Sequence, residues 1–210
     1  MAHPAPATMA FAPHSGWAAA VVLGGSGAEP RVLARTQIEM ADPRDPESRQ
    51  PYHAVEELAV EAAARRLHRY MAVAERMATA AMEALLEDVA ARGHRVLSVG
   101  ILDSSGRKGG SLAAILASHA LIHTADGDHF RQALSAAAAH CRLAVSRVAA
   151  RDLEARATAA LRAPAGRLRD TVKGLGREVG PPWGADQKAA SLLAWLLLAG
   201  PPAPSPRRPP

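Results

Sequence analysis

The chain has 210 residues, a net charge of +5, 49% hydrophobic residues and only 3% aromatic ones. That length admits one domain with a substantial core, and the single cysteine, Cys141, excludes an internal disulfide and a cysteine-built zinc site. The basic excess is nearly all arginine, because lysine occurs only at Lys108, Lys173 and Lys188. Guanidinium groups grip phosphates bidentately, so the charge admits a nucleic-acid partner, and equally a plain compositional bias toward arginine.

The N-terminal MAHPAPATMAFAP has no basic n-region and is broken by prolines, which argues against a secretory signal. The longest apolar run, Ala189–Gly200, is too short for a bilayer. The expectation is a cytoplasmic protein with no membrane partner. Residues 1–6 are expected to be disordered, 7–199 to form a single domain, and 200–210 to be a disordered tail rich in Pro and Arg.

Ala7–Pro13 reads as a short strand, HSG (14–16) as a tight turn and WAAAVVLGG as a second strand. GGSGAEP (24–30) turns the chain again into RVLARTQIEM (31–40), whose Val32, Ala34, Thr36 and Ile38 share one face. Three strands and two turns predict an antiparallel meander. ADPRDPESRQP (41–51) is a proline-broken loop, and residues 54–92 form one long helix, or two with a slight break, with Leu67, Met71, Ala74, Ala78, Met82, Leu85 and Val89 at spacings of three and four. Gly93 suits the stop.

RVLSVGILD (95–103) is a continuous apolar run, the pattern of a strand buried on both faces. After the loop SSGRKGG, residues 111–122 read as helical or mixed, 126–141 as a firmer helix, and 142–148 as a strand. Helices follow over RDLEARATAALRA and over 186–199, with 166–179 a basic helix or turn between them. A meander followed by alternating elements predicts an α/β sheet of mixed direction.

This order resembles the ribonuclease H-like fold, specifically the RuvC-type Holliday-junction resolvase branch. The likeness rests on AFAPHSGWAAAVV as strand, turn and strand, on RVLSVGILD after a long helix, and on GADQKAASLLAWLLL as the terminal helix. It implies a metal-dependent nuclease in which carboxylates hold two Mg²⁺ or Mn²⁺ ions against a phosphodiester. Carried over residue by residue, the terminal-helix acid falls on Asp186 and the buried-strand acid on Asp103, at the strand's end. The first-strand acid has no match, with Ala12 or His14 near its place, and the second acid of the terminal helix is replaced by Lys188.

Other polar groups have two readings each. In IHTADGDHF (122–130), His123, Asp126, Asp128 and His129 can ligate a metal, or Thr124 or Asp126 can cap a helix with Asp128 in its first turn. DSSGRKGGS places Arg107 and Lys108 among glycines at the carboxyl end of a buried strand, as a phosphate cradle or as a basic loop. Arg147, Arg151 and Lys173 belong to a basic stretch that reads as an anion-binding stripe or a solvated face. The candidate catalytic residues are Asp186, Asp103 and Lys188, and the candidate metal ligands are Asp103, Asp186, His14, His123 and Asp126. Three functions remain open: a RuvC-related nuclease, a non-catalytic module of the same fold that binds nucleic acid or protein, and an assembly protein that pairs as a homodimer through its long helix.

Overall fold

The computed structural model describes residues 3–104 and 109–200. The candidate phosphate-binding residues Arg107 and Lys108, and the tail from residue 201, lie outside the described residues. Five strands form one sheet: β1 (Ala5–Pro13), β2 (Trp17–Gly25), β3 (Pro30–Glu39), β4 (His94–Asp103) and β5 (Ala144–Ala149). Their order is β3-β2-β1-β4-β5. The first three are the antiparallel meander, while β4 runs parallel to β1 and β5 parallel to β4. β1 begins at Ala5, two residues earlier than its apolar run suggests.

The helices are α1 (Val60–Ala91), α2 (Leu112–Leu116), α3 (His119–His140), α4 (Leu153–Leu161), α5 (Ala165–Val179) and α6 (Ala185–Leu198). They cover both sheet faces, because alternate strand residues point to opposite sides. Met9, Phe11, Val22, Val99 and Ile101 face α1 and α3, meeting Ala74, Ala78, Met82, Phe130 and Leu134. Ala10, Ala12, Val21, Leu102 and Val148 face α4, α5 and α6, meeting Leu168, Leu193, Ala194 and Trp195. Met82 of α1 is fully buried in this core, and Met71 packs against it half-buried.

Small residues let α6 lie close on the sheet. A Cβ at Gly100 in β4 would stand 2.6 Å from Cγ of Leu193, so the contact requires glycine. Thr8, buried in β1, donates its hydroxyl to the Ala194 carbonyl at 2.7 Å, which satisfies a polar group that would otherwise be costly to bury.

Among the apolar residues of β4, Leu97 departs from the burial expected of the run. The β1–β4 register steps from Ala7↔Val96 to Thr8↔Ser98, leaving Leu97 as the extra residue of a bulge, 47% exposed. Among the described residues no helix is long and apolar enough to cross a membrane.

Candidate functional site

Parallel strands bring their carboxyl ends to one edge, where ligands of open α/β sheets gather. β1 ends there at Pro13 and β4 at Asp103. After β1 the chain reverses through Gly16, whose φ of +84° suits glycine and whose carbonyl accepts the Met40 and Ala41 amides. This turn presents His14, which lies flat on Trp17 with ring centroids 4.3 Å apart. His14 Nε2 meets Asp186 Oδ1 at 2.9 Å, and both side chains are more than a third exposed.

Asp186 does not cap α6. The cap position is Gly184, whose amide donates to Oε1 of Gln187 at 2.9 Å. Asp186 stands in the first turn, where the helix dipole favours an acid, with its carboxylate directed at His14. Lys188 is two positions further on, and residues so spaced do not share a helix face. It lines a different groove of about 440 Å³ with Lys173, Leu168 and Leu192.

Asp103 belongs to a separate charge cluster. Its Oδ1 accepts from Nη2 of Arg147 at 3.1 Å and from the Ser104 amide at 2.9 Å, with Nε of Arg131 at 3.7 Å. The same Arg147 nitrogen reaches Oδ1 of Asp128 at 2.5 Å. Arg131 also donates to the Leu102 carbonyl at 3.0 Å. Burial works against the Arg147 charge, but its hydrogen bonds to Asp128 and Asp103 outweigh that and raise its pKa. Burial holds the Arg131 pKa below its ordinary value, partly offset by the same two acids. Arg151 lies just beyond β5, exposed and 3.6 Å from Asp152.

The third cluster is built on α3, which starts at His119, seven residues before the firm helix expected from the sequence. Asp126 and Thr124 are therefore inside the helix rather than capping it. Asp126 is buried, and burial raises its pKa against the stabilising bonds it accepts. Its Oδ1 accepts the Tyr52 amide at 2.6 Å and its Oδ2 pairs with Nδ1 of His53. His53 faces His119 and His123, and one ligand atom from each of the three rings lies within 4.8 Å of the others.

Among the described residues, these histidines are the only His, Cys, Asp or Glu group so gathered. The five candidate ligands thus divide among three places: His14 with Asp186, Asp103 with its arginines, and His123 near Asp126. His53 and His119 carried no sequence-level assignment. The i,i+4 spacing of His119 and His123 was the available signal, hidden by the later helix start; His53 is 66 residues away from His119 and had none.

A meander in which β1 lies between β2 and a parallel β4, with β5 parallel at the edge, decides the architecture. The fold is ribonuclease H-like. No family model and no curated protein matches the sequence. Among solved structures, Thermus thermophilus RuvC is similar at 14% identity and a TM-score of 0.48, over 90% of this chain and 92% of that one. T. thermophilus RuvC in complex with a Holliday junction substrate gives 14% and 0.47, over 90% and 91%. The Aquifex aeolicus member of the Ppx/GppA family gives 10% and 0.34, over 75% and 40%.

The Mg²⁺ or Mn²⁺ pair implied by a ribonuclease H-like fold does not fit these residues. Such hard ions need carboxylate oxygens converging on one point. Here Asp103 is turned to Arg147 and Arg131, Asp186 to His14, and the first-strand carboxylate is absent.

Proposed function

We propose that the chain is a ribonuclease H-like nucleic-acid-binding module that does not carry out two-metal hydrolysis. The observation that carries this reading is Arg147 bridging Asp103 and Asp128 at the carboxyl edge of the sheet. A guanidinium supplies from within the chain the positive charge that a two-metal site takes from ions, and it occupies the carboxylate while doing so. The net charge of +5 and the exposed Arg151, Lys173 and Lys188 support an anionic ligand. With only 3% aromatic residues the chain is poorly supplied with base-stacking side chains, so phosphate contact would dominate.

The test is fluorescence anisotropy with a labelled four-way junction, a duplex and a single strand across a salt series, in Mg²⁺ and in EDTA. The junction is included because a RuvC has been solved with one. The reading expects binding that weakens linearly on a log–log salt plot, equal in Mg²⁺ and EDTA, with the DNA left intact. Cleavage that needs Mg²⁺ and disappears in Asp186→Ala would restore the nuclease reading. Absence of binding at low salt would remove both.

A further inference from the structure

The three-histidine cluster is independent of the sheet-edge acids. His119 and His123 are one helical turn apart on α3, so their rings leave the same face of a rigid element. Their Nε2 atoms approach to 3.0 Å, and the ring planes cross at 78°. At that distance one ring donates and the other accepts, so both nitrogens address a single point. Two imidazoles on a tetrahedral zinc, at about 2.05 Å each, hold their nitrogens about 3.3 Å apart. A few tenths of an ångström of ring motion exchanges the shared proton for an ion.

His53 completes the group from outside α3. It lies in the short helical turn His53–Val55, and its Nδ1–H is given to the buried carboxylate of Asp126. A carboxylate only accepts, so this bond fixes the tautomer and leaves Nε2 of His53 with its lone pair. Asp126 is fixed in turn by the Tyr52 amide. A buried acid that orients a ligating imidazole is the common support for histidine metal sites. Asp126 is then a positioning residue, since both of its oxygens are engaged.

We propose that His53, His119 and His123 bind one borderline transition-metal ion of the Zn²⁺ class, with Asp126 orienting His53. Three neutral imidazoles suit Zn²⁺, Co²⁺, Ni²⁺ or Cu²⁺ and give Mg²⁺ nothing it prefers. His119 and His123 are exposed, and His53 borders an open groove of about 520 Å³ with Ser15, Glu47, Arg49 and Gln50. The ion would keep at least one coordination position for water or an anionic oxygen.

The test is titration of the full-length protein with Co²⁺, following the visible d–d bands, and with Zn²⁺ by calorimetry. The proposal expects one ion per chain, a rise in melting temperature on adding Zn²⁺, and no competition from excess Mg²⁺. His119→Ala and His123→Ala, both at exposed positions, should each keep the circular-dichroism spectrum and lose the Co²⁺ bands. Asp126→Asn should weaken binding roughly 10–100-fold. Should that variant unfold, the two exposed histidine variants decide alone. Failure of the wild type to bind, or binding unchanged in His119→Ala and His123→Ala, would overturn the proposal.

Discussion

Nη2 of Arg147 lies 3.1 Å from Oδ1 of Asp103, and the same nitrogen serves Asp128. One guanidinium therefore joins the end of β4, the edge strand β5 and the helix α3. Removing it would take away one of the two guanidinium groups beside Asp103 and Asp128 at a partly buried site, leaving Arg131 as the other. Arg147→Ala is expected to cost about 1–3 kcal/mol, below the usual figure for a fully buried pair because solvent reaches this one. Urea denaturation measures it. Adding Asp128→Asn should recover part of the loss, and no recovery would show that the cost is lost packing.

Gly100 tests how tightly α6 lies on the sheet. Gly100→Ala puts a methyl group 2.6 Å from Leu193 Cγ, and overpacking of this kind costs about 1–3 kcal/mol. Leu193→Ala made alone should destabilise by about 2–5 kcal/mol. The double variant should be more stable than the two costs added together, a coupling that a double-mutant cycle measures directly.

His129 sets a pH dependence. It is buried beside Phe130 and Tyr52, and its Nε2 has no hydrogen-bond partner among the described residues. Burial lowers its pKa to about 4, against a hydrogen bond to the Tyr70 backbone that acts the other way. The unfolded chain takes up this proton near pH 6.5 and the folded chain only near 4, so stability falls as pH drops through that window. Above pH 6.5 the histidine contributes no slope. The full loss is roughly 3 kcal/mol. His129→Gln should flatten that part of the profile, measured by urea denaturation between pH 7.5 and pH 4, values chosen to span roughly that window.

The nucleic-acid reading makes a prediction about slopes. Arg151→Ala and Lys173→Ala each remove an exposed cation from the described surface. Where either contacts phosphate, its loss should weaken binding to all sequences alike and reduce the salt slope by about one. Anisotropy at several salt concentrations measures both quantities. Unchanged slopes in both variants would move the interface elsewhere on the chain.

The fold was legible because its signals are local. Alternation in 31–40, the continuous apolar run before Asp103 and the three–four spacing on α1 each follow from one element meeting one core face. The sites were less legible because they depend on pairings far apart in sequence. Nothing near Asp186 in the sequence says that Gln187 secures the start of α6 or that His14 lies across the turn. Asp126 reads as a cap because the polar HTADGDH segment interrupts the apolar pattern that continues through α3. Lys188 looked close to Asp186 in a line of letters, yet the helix turns it toward Lys173. Leu97 is exposed because of a register step that exists only between two strands.

Gln187 separates two duties that a helix start usually combines. With the end of α6 secured by its neighbour, position 186 can change its chemistry without loosening the element that carries it. Asp, Glu, Asn or Ala can each stand there at small cost to the fold. Mutation can vary the chemistry of this corner of the sheet at little cost to stability, and an acid here can be lost or regained in one step.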